Sequence, residues 1–132
     1  MSVSDPISNL LCNIKNSANA RKETVDIPGS ILAQKILEIF KNDGYIEDFR
    51  VLKDNKQGVL KVYLKYLKNK KSAITDVKRV SRPGLKVYVK NDEIPRVING
   101  LGTAVLSTSK GLMNDREARK NCIGGEVLCF IW

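Results

Sequence analysis

With 132 residues, 42% of them hydrophobic and 28% charged, the chain has room for one compact unit or two small ones sharing a core. A chain this size buries roughly two thirds of the surface its unfolded form exposes, so a stable core needs neither metal nor disulfide. Twenty-three Lys and Arg against 14 Asp and Glu give a net charge of +9, which points to a polyanionic partner; the complete lack of His removes the Ser-His-Asp triad, the Cys-His pair and most zinc and haem ligation.

Cys12, Cys122 and Cys129 are odd in number and widely spaced, with no C-x-x-C pair. They are expected as buried thiols in a reducing compartment, with no metal and no cofactor. The first residues lack a charged segment backed by a long apolar run, and other apolar stretches are too short to span a bilayer. These features predict a soluble intracellular protein without a membrane partner.

The first helix signal is immediate. Ser4 or Asp5 can cap, Pro6 fits the first turn, and Ile7, Leu10, Leu11 and Ile14 fall on one face. Arg21 to Ile27 is a strand or a loop. A second helix is predicted from Pro28-Gly29-Ser30, with Ser30 as cap, Leu32, Ile36, Ile39 and Phe40 as inner face, and Gly44 as stop. The period then changes to alternation over Tyr45 to Leu52 and, after a Lys53 to Gly58 turn, over Val59 to Leu67, which predicts a hairpin. In its second strand Leu60, Val62, Leu64 and Tyr66 face one side and Lys61, Tyr63 and Lys65 the other.

The polar segment Lys68 to Ser72 suggests a boundary, giving domains 1–69 and 70–132. Ile74 to Val80 and Leu85 to Val89 are short strands joined by Ser81-Arg82-Pro83-Gly84, a sequence suited to a type II turn. Asp92 is placed to cap a brief helix carrying Ile94, Val97 and Ile98. Thr103 to Ser107 is strand-like, a short helix follows Asn114 or Asp115, and Glu126 to Trp132 is strongly β-like after Gly124-Gly125. The fold expected is α+β: N-terminal helices packed on a small sheet, followed by a β-rich C-terminal part with short helices.

The charge is not spread evenly. Residues 53 to 90 hold twelve Lys and Arg against Asp54 and Asp76, a local balance of +10, while the rest of the chain carries −1. That concentration predicts a basic patch on the middle strands and turns, and about six phosphate contacts would give a log-log salt slope of roughly −4 to −5. Outward lysines also guard strand edges, and for any one Lys that reading weighs as much as phosphate contact. Lys86, Tyr88 and Lys90 share one face of an alternating strand, so Tyr88 can stack on a base or ribose between cations or, equally, cover a neighbouring loop.

The most informative stretch is L-S-T-S-K-G-L-M-N-D-R-E-A-R-K-N-C-I-G-G-E-V-L-C-F-I-W, Leu106 to Trp132. Ser107, Thr108 and Ser109 offer three hydroxyls that both donate and accept, suited to base edges and 2′-OH groups, with Lys110 placed for phosphate. The competing reading is that such hydroxyls satisfy their own turn. Ser107 to Lys110 is also a literal S-x-x-K, but no S-D-N or K-T-G accompanies it and the segment reads as strand end and turn, so a small serine hydrolase using Ser107 and Lys110 is the remote alternative. Gly124 and Gly125 form no phosphate loop and instead allow two backbones to approach closely. Glu126 can orient these serines or accept from a base amino group.

Together L-S-T-S-K-G-L-M-N-D-R-E-A-R and G-G-E-V-L-C-F-I-W resemble the C-terminal signature of the bacterial family of small-subunit ribosomal protein number eight. D-P-I-S-N-L-L-C-N-I-K-N-S (Asp5 to Ser17), P-G-S-I-L (Pro28 to Leu32) and S-R-P-G (Ser81 to Gly84) resemble its opening and central turn, so the likeness covers essentially the whole chain. The resemblance implies a non-enzymatic constituent of the small ribosomal subunit. It would bind an irregular stem in the central domain of small-subunit ribosomal RNA, support assembly and contact neighbouring ribosomal proteins, and be a monomer outside the ribosome. A cytoplasmic ribosome is implied, with an organellar one as the other setting; family members can also repress translation of their own messenger. Carried over, Ser107, Thr108, Ser109 and Lys110 match the RNA-reading loop, Gly124, Gly125 and Glu126 the segment beside it, and Lys86 and Tyr88 a secondary contact strand. On the first helix Cys12 and Lys15 stand where Thr and Arg are usual. A thiol bonds weakly and Lys lacks the bidentate fork, which weakens the implied contact at Lys15.

Overall fold

The computed structural model describes residues 5–53 and 58–132, so Ser4 as a cap and positions 54–57 of the expected turn lie outside the described residues. Two compact units are present: Ser8–Thr75, and Asp76–Trp132 together with the start of the chain up to Ile7. Helices and antiparallel sheets mix in an α+β architecture, with the longer helices N-terminal and the C-terminal part rich in strands.

Helix α1 (Pro6–Asn19) buries Ile7, Leu10, Leu11 and Ile14, the stripe its spacing predicts. Each such side chain, fully buried, contributes about 1.5–3 kcal/mol. The helix ends in a left-handed corner at Arg21 (φ +57°), where the Lys22 N–H donates to the Ser17 carbonyl at 3.0 Å and the Arg21 N–H to that of Ala18 at 3.1 Å. Strand β1 (Thr24–Pro28) follows, resolving the choice between strand and loop.

Helix α2 (Ile31–Asn42) is capped as expected, Ser30 Oγ accepting the Ala33 N–H at 3.1 Å. Its buried face is Ala33, Ile36, Leu37 and Phe40. Leu32, expected inside, is exposed, and Ile39 is only half-buried. The face runs from Ala33 through the three- and four-residue spacings, and a small alanine gives too faint a hydrophobic signal to set that phase. Gly44 (φ +85°) stops the helix as C′: the Tyr45 N–H reaches the Phe40 carbonyl at 2.9 Å.

Strands β2 (Ile46–Leu52) and β3 (Val59–Leu64) pair antiparallel, with Phe49 opposite Val62, and β1 pairs the other edge of β3. Leu60, Val62 and Leu64 point into the core on which α2 packs. On the opposite face Arg50 and Lys61 lie 5.5 and 5.8 Å from the centre of the Tyr63 ring. β3 stops at Leu64; Tyr66, expected as its last inward residue, lies beyond it and donates its hydroxyl to the Lys22 carbonyl at 2.5 Å.

In the second unit β8 (Gly125–Ile131) is the hub. β6 (Thr103–Thr108) pairs one edge with β7 (Gly111–Asn114) outside it, and β4 (Val77–Arg79) and β5 (Tyr88–Val89) share the other edge. Arg82 and Leu85 exchange backbone hydrogen bonds of 2.9 and 3.0 Å around Pro83-Gly84, but Gly84 does not adopt positive φ, so the turn is not type II. Leu85 closes this turn and is 71% exposed, whereas Val87 and Val89 are half-buried. The helix expected after Asp92 does not form. Pro95 has no N–H to give, and the chain instead makes a short 3-10 turn at Val97–Gly100, interrupted by Ile98 and Asn99 at φ +49° and +54°. Ile94 and Val97 are buried as expected, but Ile98 is exposed.

Helix α3 (Asp115–Lys120) is capped by Asn114, whose Oδ1 accepts the Glu117 N–H at 2.8 Å. Asp115 is almost fully buried and extends the sheet ladder past the end of β7: its Oδ1 accepts the Ala104 N–H at 3.2 Å, and its Oδ2 pairs with Arg119 at 2.6 Å. Arg119 also donates to the Pro95 carbonyl at 2.8 Å. Ala104, Leu106, Met113, Ala118 and Val127 form the core beneath. Of the three cysteines only Cys129 is buried; Cys12 and Cys122 are exposed, correcting the expectation of three buried thiols. Cys12 falls just past Leu11 on the polar side of α1, and Cys122 occupies the left-handed corner (φ +52°) after α3.

Candidate nucleic-acid interface

The sheet registers build the site. Ser107 lies opposite Glu126 and also opposite Leu112, while Glu126 lies opposite Tyr88. Directly opposed residues of an antiparallel ladder share a face, so Tyr88, Glu126, Ser107 and Leu112 form one row across four strands. A register shift between Val105 and Leu106 sets this pairing and leaves Leu106 opposite Val127 in the core. Tyr88 is 67% exposed at one end of the row, with exposed Lys86 two residues before it; Glu126 and Ser107 are half-buried in the middle. The row therefore offers an aromatic ring, a carboxylate and a hydroxyl in sequence, a set able to stack, accept, and both donate and accept.

Glycines set the frame. A Cβ on Gly125 would sit 2.3 Å from the Ser107 carbonyl oxygen, and one on Gly124 would sit 2.3 Å from that of Val89. No side chain fits at either place, which is the close approach expected of this pair. Ser81, fully buried, holds the strand carrying Tyr88 from behind: the Val87 N–H donates to Ser81 Oγ at 2.9 Å, and the Val87 carbonyl accepts from Val127 N–H at 2.9 Å. In the sequence Ser81 belongs to the expected turn, because a buried serine and an exposed one look alike in a row of letters.

At the far end of β6 the chain folds over Ser109 and Lys110 into β7, with Thr108 opposite Gly111. The three hydroxyls part company here. Thr108 Oγ1 donates to the Gly111 carbonyl at 2.7 Å and accepts the Lys110 N–H at 3.2 Å, so it serves its own turn. Ser107 and Ser109 have no partner for their hydroxyls among the described residues, and Ser109 and Lys110 are exposed. Leu112 completes the row, and β7 is too short for its alternation to show in the sequence. Lys15 is half-buried on α1, in the Ser8–Thr75 unit.

Of the basic residues in the middle third, Arg79 is committed to the fold: its Nε donates to Asp5 Oδ2 at 3.3 Å and its Nη1 to the Leu128 carbonyl at 2.7 Å. Lys61 and Arg50 flank Tyr63, and Lys65, Lys70, Lys71, Lys78, Arg82, Lys86 and Lys90 show at least part of their side chains. Among the described residues no group of three or more Cys, Asp and Glu comes together to hold a metal. No helix there is long and apolar enough to cross a membrane.

The fold is that of a small basic α+β protein that sets an aromatic ring, a carboxylate and a hydroxyl in one sheet row beside an exposed hairpin tip. The chain belongs to the family described as ribosomal protein S8, whose model matches residues 5–132. Its relatives include small ribosomal subunit protein uS8 of Syntrophomonas wolfei subsp. wolfei, 53% identical, and of Syntrophobacter fumaroxidans, 54% identical, each over the full length of both chains. The protein of that name from Desulfitobacterium hafniense is 52% identical, also end to end. This is a family of structural ribosomal proteins, not of enzymes, and the hydrolase alternative falls with it.

Proposed function

We propose that the chain is a constituent of the small ribosomal subunit that binds an irregular stem in the central domain of small-subunit ribosomal RNA. The β-rich C-terminal part, which carries β4 to β8, does the reading. The observation that carries this is the Tyr88–Glu126–Ser107–Leu112 row running toward a tip where Ser109 and Lys110 are exposed and two hydroxyls are unpartnered. Ser107, Ser109 and Glu126 supply donors and acceptors to bases or 2′-OH groups, Tyr88 a stacking surface, and Lys86 and Lys110 phosphate contacts. Thr108, Gly124 and Gly125 act by holding the tip and the row in place, and Lys15 adds charge from the first unit. The protein would work on the cytoplasmic ribosome beside neighbouring ribosomal proteins, monomeric before assembly. A messenger segment imitating the stem would fit the same surface and repress its own translation.

The test is paired binding of wild type and Ser109→Ala to the stem and to an unrelated duplex of equal length. Specific affinity is expected to fall by about 1–3 kcal/mol with the non-specific affinity unchanged. Equal losses on both RNAs would overturn the assignment of readout to the tip.

A further inference from the structure

The Ser8–Thr75 unit has a recess of about 320 Å³ that the RNA-reading row does not use, with Ala18 and Ile74 buried in its floor. Arg21, Lys70 and Lys71 stand around it together with the polar side chains of Asn19, Ser72 and Thr75. All three cations are exposed, and no carboxylate among the described residues pairs with any of them. A pocket lined by cations and hydroxyl donors and by no carboxylate is suited to a phosphate group.

The backbone adds a second, independent observation. Arg21 and Lys70 both lie in the left-handed region, at φ +57° and +64°. Arg21 is the C′ residue closing α1, and Lys70 closes the tight turn in which its N–H donates to the Leu67 carbonyl and the Leu67 N–H to that of Lys71, both at 2.8 Å. Glycine fits each corner without strain, and Asn69, which tolerates it, stands one position too early. A cation at the end of a helix also complements its dipole. That accounts for a positive residue near α1's end but not for one placed on the strained corner itself, when Lys22 is adjacent, and it says nothing of Lys70. Two cations on left-handed corners thus meet at one recess, where an L side chain carries a backbone cost that glycine would not.

We propose that this recess seats a backbone phosphodiester of the bound RNA, gripped by Arg21, Lys70 and Lys71 with Ser72 or Thr75 donating. The inference rests on the RNA-binding reading above and deepens it by adding a contact in the first unit, indifferent to sequence. The test is the Arg21→Gly/Lys70→Gly double variant of the full chain, measured for thermal stability and for stem affinity across a salt series. Stability is expected to hold or rise, since glycine relieves both corners. Affinity should fall roughly tenfold near 0.1 M salt, with the salt slope flattened by about one. The Arg21→Asn/Lys70→Asn pair repeats the measurement with residues that also accept the corner, in case glycine loosens it.

Unchanged affinity and slope in the variants, with wild type still preferring the stem, would overturn the recess and leave the main reading standing. Wild type showing no preference for the stem would overturn the main reading, while the recess would still stand or fall on the variants' loss of affinity and flattened slope. Backbone amide shifts at Arg21, Lys70, Ser72 and Thr75 that respond to pyrophosphate but not to the stem would likewise overturn the recess as an RNA contact.

Discussion

The two units handle charge in different ways. In the first, cations lie on an open sheet face and around a recess, with Arg50 and Lys61 against Tyr63 and Arg21, Lys70 and Lys71 without acidic partners. In the second, the ionic groups of the interior are bound into the structure: Asp115 with Arg119 and Ala104, Arg79 with Asp5 and Leu128. Exposed lysines and arginines occur there as well, but Tyr88, Ser109 and Lys110 are carried on backbone fixed by the sheet and its hairpin. Adhesion tolerates movement, because a phosphate attracts from any direction. Choice between nucleotides does not, because hydrogen bonds fail within fractions of an ångström.

The largest effect should come from breaking the rigid half. Gly125→Val places carbon against the Ser107 carbonyl and should cost about 3 kcal/mol or more or abolish folding, read as the urea midpoint. Asp115→Ala leaves Arg119 without its carboxylate and the Ala104 N–H without an acceptor. About 3 kcal/mol should be lost, with Asp115→Asn losing less because an amide oxygen still serves Ala104.

Next comes Cys129. Burial pushes its thiol up to about 12 from an ordinary 9.0, partly countered by Arg79. The folded state keeps its proton while the unfolded chain ionises, so above about pH 9 stability should fall with rising pH by up to about 1.4 kcal/mol per unit. Cys129→Ala should remove that component of the alkaline slope. A thiol reagent at neutral pH should label Cys12 and Cys122 at once and Cys129 only on unfolding.

The smallest effect belongs to the adhesive half. Lys41 and Asp48 pair at 3.1 Å on the surface, and Lys41 together with the Phe49 N–H holds the Asp48 carboxyl below its usual range. Any stability from that pair is present above the ordinary carboxylate range and lost as pH falls through the lowered value. Lys41→Ala should barely move the urea midpoint, and added salt should erase the difference.

Much of this was legible in the sequence. Pro6, Ser30, Gly44 and Asn114 act as local punctuation, and each does what its chemistry predicts. The alternation of Val59 to Leu64 marked the inward face of β3. The failures share a cause: they turned on tertiary phase. Leu32 and Ala33 exchange roles because α2 meets its sheet one residue away from the stripe suggested by large side chains. Leu85 and Ile98 are exposed because turns claim them, and β5 and β7 are short strands created by partners distant in the chain. At the site, the residues and their types were readable, but the alignment of Tyr88, Glu126 and Ser107 in one row was not, since register across β5, β8 and β6 is nowhere written locally. Nor could letters separate Thr108, spent on its own hairpin, from its two neighbours.

At Gly125 bare main chain presses on the Ser107 carbonyl. Because peptide groups locate the tip, the side chains at 107, 109 and 110 are passengers that can be exchanged without moving the chassis. On the function proposed above, a variant library confined to those positions should therefore yield folded proteins with altered taste in RNA, turning this hairpin into a socket for new readers.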